Sequence, residues 1–184
     1  MLGAMQDQEL RVAGLLDHAA LNHGNREIVS RYADGSEVRT DWAGIRRDAL
    51  KMTQALRKLG IGKADRIATL AMNHSRHLVS WYGAVGVGGV LHTINPRLFD
   101  DQLEYIANHA EDQVLCFDMT FLPIIKAVWS RCTTVRHWIA LCEADALPAD
   151  TGIAGLQSYE AWIGSESDAY DWPQFDEKCA AALC

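Results

Sequence analysis

A histidine pair, a cysteine with a histidine, and two adjacent carboxylates are the residues of this sequence whose types and spacing could do chemistry. His74 and His77 lie three apart at a predicted helix start, where two imidazoles on one face could ligate a metal ion. No carboxylate or third imidazole is placed beside them, so a solvated or helix-capping role is the preferred reading. Cys132 with His137 has the residue types of a nucleophile and its base. They straddle a predicted loop-to-strand boundary, however, and no group stands ready to orient the histidine. Glu111-Asp112 could act as a general acid and base, but at a predicted helix end it reads better as a solvated turn. The glycines Gly83, Gly86, Gly88 and Gly89 suggest a dinucleotide loop. That loop needs Gly-x-Gly-x-x-Gly after a strand and opening a helix, so that helix amides face a pyrophosphate. Here the third position after Gly88 is Leu91 and the cluster ends a helix, so its expected role is tight packing.

Polar residues that directly follow apolar runs carry more weight, because ligands of an open α/β sheet sit outside the carboxyl ends of its strands. Those residues are Asn73, Asn95 and Asp118. In Asn95-Pro96-Arg97 the proline fixes its own φ and biases Asn95 away from helix, which holds that loop in one shape. The structural expectation for all three is a strand-end turn that caps the following helix.

The elements that would position these residues follow from periodicity. Leu10, Val12, Leu15, Leu16 and Ala19 predict an amphipathic helix over 9–22, ended near His23-Gly24-Asn25. Runs at 27–32 and 36–40 flank Ala33-Asp34-Gly35, a tight-turn signal, and predict a short antiparallel hairpin. Thr40 or Asp41 then caps a long helix with an apolar face including Trp42, Ile45, Leu50, Ala55 and Leu59, stopped by Gly60-Ile61-Gly62. Beyond it, strands at 66–72, 89–94, 113–117 and 136–141 alternate with helices at about 75–87, 100–110 and 121–130, with Ser75 placed to cap the first. This alternation predicts an α/β domain: an open, mostly parallel sheet with helices on both faces, preceded by a helix and a short antiparallel hairpin. Residues 143–178 read as a surface connection, with a short helix near 156–163. Residues 179–184, Cys179-Ala-Ala-Ala-Leu-Cys184, read as a buried strand.

The chain has 184 residues, 49% of them hydrophobic and 22% charged, which is ordinary globular composition. A net charge of -7 argues against nucleic acid or an anionic membrane surface as a partner. Arg46-Arg47 and Arg57-Lys58 fall on the long predicted helix and read as a solvated face. Asp7, Glu9 and Arg11 interrupt the place where the apolar core of a signal peptide, about 7–15 residues, would sit. No transmembrane segment of roughly 18 apolar residues is present. The five cysteines are odd in number and irregularly spaced, with no Cys-x-x-Cys pair, which suits free thiols in a reducing cytoplasm.

Taken together, several stretches resemble one family. They are Thr40-Asp-Trp-Ala-Gly-Ile45, Gly62-Lys-Ala-Asp-Arg-Ile-Ala68, the run from Trp81 through His92-Thr-Ile-Asn-Pro-Arg-Leu98, Leu103-Glu-Tyr-Ile106 and Val114-Leu-Cys-Phe-Asp118. In this order they are similar to the N-terminal part of the adenylate-forming superfamily, and within it to the AMP-forming fatty acyl-CoA synthetases. Asn95-Pro96-Arg97-Leu98 is the strongest segment, and Gly89 stands where the family often has alanine. The resemblance implies a two-step reaction that joins a carboxylic acid to coenzyme A through an acyl-adenylate, using ATP and Mg²⁺. It also implies that a Ser/Thr/Gly-rich phosphate loop follows a run like Cys179 to Cys184. On that reading residues 1–184 are an incomplete domain, the ATP loop is expected after Cys184, and no catalytic, cofactor-binding or metal residue is assigned to this chain. Its parts are 1–62 (helix, hairpin, long helix), 63–142 (βα repeats), 143–178 (surface connection) and 179–184 (start of the strand before the loop). Such a piece is expected to be inactive alone and to bind no cofactor tightly; homo-oligomerisation stays open. Two other readings remain beside it. One is a complete, non-catalytic α/β module that binds a ligand or partner. The other is a different adenylate-forming enzyme, luciferase-like or a peptide-synthetase adenylation domain.

Overall fold

Apolar side chains alternate sides along the central strands, and that alternation builds two cores. In the computed structural model, which describes residues 3–5 and 8–184, helix α1 (Val12–His23) leads into the hairpin β1 (Glu27–Arg31) and β2 (Glu37–Asp41), and helix α2 (Trp42–Lys58) follows. Asp7 of the N-terminal reading lies outside the described residues. Then come β3 (Arg66–Leu70), α3 (Ser75–Gly86), β4 (Val90–Thr93), α4 (Asp100–His109) and β5 (Asp112–Phe117). A 3-10 turn at Met119–Phe121 precedes α5 (Leu122–Val128), β6 (His137–Ala140), β7 (Gln157–Ser158), α6 (Tyr159–Gly164) and β8 (Ala182–Leu183). The second sheet has six strands in the order β7-β6-β5-β3-β4-β8, and every pairing in it is parallel. The expected α/β architecture is therefore present.

Ile67, Leu91, Val114, Cys116 and Ile139 face one way, against α1, α2, α3 and α6. Ala68, Leu70, Leu115, Phe117, Trp138 and Ala140 face the other way, against Leu103 and Ala107 of α4 and Ile125 and Val128 of α5. A period of two along each strand thus feeds a layer of helices on each face. Local signals set the ends. Asp41 caps α2 by accepting from the Gly44 amide at 2.7 Å, and Gly60, at φ +80°, turns the chain out of it. α2 and α3 are tied where the buried Thr53 hydroxyl donates to the Gly83 carbonyl at 2.9 Å.

Four expectations need correction. The N-terminal helix buries Ala13 and Leu16, whereas Leu10 and Leu15 are exposed, because the helix starts only at Val12 and turns its other side to solvent. The first residue of α3 is Ser75, and its cap is His74. Residues 143–178 are more than a surface connection: β7 extends the sheet beside β6, and Tyr159, Trp162, Ile163 and Trp172 are buried in the first core. Large aromatic side chains anchor a segment whose average composition is polar. Residues 179–184 do not form a buried strand. Only Ala182–Leu183 pairs, with β4 alone, and both side chains are exposed at the edge of the sheet.

Candidate functional site

The chain winds from β3 through α3 to β4 on one side, then returns through α4 to place β5 on the other side of β3. α3 covers one face and α4 the opposite face, so the winding reverses between β3 and β5. A crevice outside the carboxyl ends of the strands at such a reversal is where an open α/β sheet binds its ligand.

His74 and Asp118 meet in that crevice. His74 follows β3 and Asp118 follows β5; both are buried, and His74 Nε2 lies 2.7 Å from Asp118 Oδ1. The other oxygen of Asp118 accepts from the Met72 amide at 2.7 Å. His74 Nδ1 accepts from the His77 amide at 3.3 Å, which caps α3. An amide can only donate, so the ring carries its hydrogen on Nε2 and gives it to Asp118. The hairpin closes over this corner. Ser30 Oγ accepts from the Ser75 amide at 2.8 Å, and the Tyr32 ring lies 4.7 Å from that of His74, with its hydroxyl 3.1 Å from Ser75 Oγ. Arg76 lies 5.0 Å over the Tyr32 ring, donates to the Leu141 carbonyl at 3.0 Å, and pairs with Glu143.

The His74–Asp118 bridge separates two cavities. One, of about 370 Å³, lies between β1 and α3 and has Ile28, Leu78 and Trp81 as apolar walls with His77 and Asn73 beside them. The other, of about 610 Å³, lies between the hairpin turn and the ends of β5 and β6, and is lined by Asp34, Arg76, Asp118, Thr120 and Glu143 among others. His77 Nδ1 donates to the Met72 carbonyl at 3.1 Å, and its Nε2 lies 3.1 Å from Thr69 Oγ1. Burial pushes the His77 imidazole below its usual value, while the Met72 carbonyl opposes that shift. Both ring nitrogens of His74 and of His77 are therefore engaged, as are both oxygens of Asp118. This corner can shape and orient, but it presents no free base for proton transfer.

The other sequence candidates resolve separately. Asn95 Oδ1 accepts from the Arg97 amide at 3.0 Å, so the turn is present, but the expected caps are not: Phe99 stands at the cap of α4, His74 in place of Asn73 caps α3, and Asp118 reaches the turn after β3 instead. Cys132 is buried with its thiol pushed up to about 11, chiefly by burial, and no hydrogen bond joins it to His137 among the described residues. His74 and His77 take part in hydrogen bonds, and the described residues contain no His/Cys/Asp/Glu group able to hold a metal ion. Gly89 packs as expected: a Cβ there would lie 2.5 Å from Ile67 Cδ1. The solvated turn is right for Glu111, exposed and 2.8 Å from Arg66, but wrong for Asp112. Asp112 is fully buried, 2.8 Å from His92 Nδ1, with its carboxyl raised by burial and His92 opposing. A lone histidine within the apolar strand at 89–94 is the signal, unused in the sequence reading, that could have revealed a buried partner.

Comparison with known proteins gives consistent results. The AMP-binding enzyme family matches residues 16–176. A 3-methylmercaptopropionyl-CoA ligase of Ruegeria lacuscaerulensis is 48% identical over 186 residues, covering 100% of this chain and 34% of that protein. A medium-chain-fatty-acid–CoA ligase of Ectopseudomonas oleovorans is 42% identical over 184 residues, with the same coverage of 100% and 34%. The chain thus spans about a third of the length of these relatives. The crystal structure of an anthranilate CoA ligase in complex with anthranoyl-AMP superposes with a TM-score of 0.82 at 19% identity, covering 100% of this chain and 33% of that one.

Proposed function

This chain belongs to the AMP-binding enzyme family, and on that premise we propose that it serves an ATP-dependent, AMP-forming acyl-CoA synthetase. In that reaction a carboxylate attacks the α-phosphorus of ATP to give an acyl-adenylate and pyrophosphate. The thiol of coenzyme A then takes the acyl group and releases AMP. The observation that carries this reading is the alignment of the whole chain with CoA ligases at 42% and 48% identity. The proposed substrate is a fatty acid of medium chain, after the relative from Ectopseudomonas oleovorans, or of long chain, after a long-chain-fatty-acid–CoA ligase of Thermus thermophilus that is 39% identical over 170 residues. A short thioether acid is the second reading, favoured by the higher identity to the 3-methylmercaptopropionyl-CoA ligase.

The described residues do not fit the triphosphate or its Mg²⁺. The Met72, Ser75 and His77 amides at the reversal crevice already have acceptors within the chain, and Asp34, Asp118 and Glu143 line the larger cavity, where Arg76 is held by its own partners. We accordingly assign these residues the role of scaffold, with no catalytic group among them. Free cysteines throughout support placing the protein in the cytoplasm. No helix among the described residues is long and apolar enough to cross a membrane.

A chimera tests the proposal. Residues 1–184 would replace the matching third of the medium-chain-fatty-acid–CoA ligase, and acyl-CoA formation would be assayed with a panel of fatty and thioether acids. Activity within about tenfold of the parent, roughly 1.4 kcal/mol in the barrier, supports the reading. A folded chimera that has lost adenylate formation overturns it. The 184-residue chain alone is expected to give background ATP–pyrophosphate exchange.

A further inference from the structure

Helix starts and strand-end amides at a winding reversal are the usual seat for a ligand's phosphate or carboxylate, because unpaired N–H groups converge there. In this chain three of those amides and the His74 ring already have acceptors. The Met72 amide donates to Asp118 Oδ2 at 2.7 Å, and His74 Nε2 lies 2.7 Å from Asp118 Oδ1. The Ser75 amide donates to Ser30 Oγ at 2.8 Å, and the His77 amide to His74 Nδ1 at 3.3 Å. We propose that Asp118 is a built-in anion: its carboxylate fills, from within the chain, the seat that such a sheet offers to a ligand's anion, and so positions the β3–α3 turn.

Burying a carboxylate is costly unless its oxygens are paired. Asp118 is 7% exposed and has a separate donor on each oxygen, the two-point grip a bound phosphate or carboxylate would receive. Its hold on His74 fixes the ring form that leaves Nδ1 free to cap α3, so one side chain orders both the turn and the helix start. No spare cation compensates. Among the described residues Arg76 is the sole Lys or Arg lining either flanking cavity, and it is committed to the Leu141 carbonyl, Glu143 and the face of Tyr32. An incoming phosphate would have to displace Asp118 and then lie beside it. The Asp118 corner of the crevice is therefore closed to anionic groups. This inference rests on the hydrogen bonds alone and stands apart from the synthetase reading.

The test uses the ¹⁵N-labelled 184-residue chain and inorganic phosphate as probe. In the wild type the His74 ring is expected in the Nε2–H form, with no saturable phosphate shift at the Met72 amide. Asp118→Ala removes the internal anion and leaves its donors. Phosphate should then shift the Met72 amide and the His74 ring nitrogens, binding at least about tenfold more tightly than to the wild type. Asp118→Asn keeps the size and can accept from only one of the two donors, so the Met72 amide or the His74 ring must change. A wild-type His74 ring in the Nδ1–H form overturns the proposal, as does saturable phosphate binding at Met72 of the wild type. So does a folded Asp118→Ala chain with no gain. If Asp118→Ala does not fold, Asp118→Asn decides, and unchanged signals at both Met72 and His74 overturn the proposal.

Discussion

Trp172 lies directly against the backbone of Gly86: a Cβ at position 86 would stand 2.3 Å from Cζ3 of the indole and 3.0 Å from Thr53 Oγ1. The contact locks the segment after α6 onto the end of α3, and it cannot relax easily, because the indole N–H donates to Asp17 Oδ1 at 3.0 Å.

Gly86→Ala should therefore destabilise the fold. Alanine gains about 1 kcal/mol of helix propensity, but overpacking against a fixed ring costs about 1–3 kcal/mol. Urea unfolding should show a lower midpoint, and Trp172→Leu in the same chain should restore part of the loss. An equal or higher midpoint for Gly86→Ala would contradict the packing described.

Asp17 accepts from two partners, Arg46 at 2.6 Å and the Trp172 indole at 3.0 Å. The ion pair is partly exposed and contributes little, whereas an indole N–H left without an acceptor costs about 1–3 kcal/mol. Asp17→Ala should lose that amount, and Asp17→Asn, which still accepts, should stay within about 1 kcal/mol of the wild type. Equal losses in both variants would assign the effect to the charge.

His77 gives the fold an acid-sensitive limb. Its imidazole lies below the usual 6.5 in the folded chain, chiefly through burial. The unfolded chain thus takes up the proton first as pH falls. The stability tied to neutral His77 is complete above 6.5 and drains away as pH drops from there through the depressed folded value. In His77→Gln the loss of stability over this interval should be shallower than in the wild type. Parallel pH profiles for the two chains would refute the assignment.

The cysteines should separate sharply toward a thiol reagent. Burial pushes Cys116 up to about 12 and Cys132 up to about 11, and it raises Cys142 as well. Cys184 is exposed and Cys179 half-buried. In the native chain Cys184 should react first and Cys179 more slowly, with the remaining three reacting only on unfolding. Rapid native labelling of Cys116 would mean that the strand it occupies opens readily.

What could be read in the sequence was what depends on near neighbours. The Asp34-Gly35 turn, the Gly60 stop and the apolar run of β3 all announce themselves within a few residues, and the structure places them as expected. The burial of His74 with Asp118 links positions 44 apart, and that of His92 with Asp112 links positions 20 apart. Nothing local in Asp112 or Asp118 separates a buried partner from a solvated turn, since the choice depends on which strands become neighbours. Trp172 was hidden for the same reason, a single ring in a polar stretch whose socket is a glycine in another element. Residues 182–183 misled in the opposite way: apolar composition promised burial, but an edge strand is covered only by what lies beyond it.

The segment that leads into α1 is fastened to residues 173–177, more than 160 positions away. The Leu10 amide donates to Glu177, Arg11 to the Pro173 carbonyl, and the Glu177 amide back to Glu9, at 2.7, 2.9 and 2.9 Å. During synthesis, then, residues 9–11 emerge well before the residues that clasp them, although α1 itself can already pack Ala13 and Leu16 against α2 and α3. Proteolysis of stalled nascent chains would see that delay as cleavage near Arg11 that stops only once Glu177 has emerged; protection at any shorter length would mean that residues 9–11 find their place unaided.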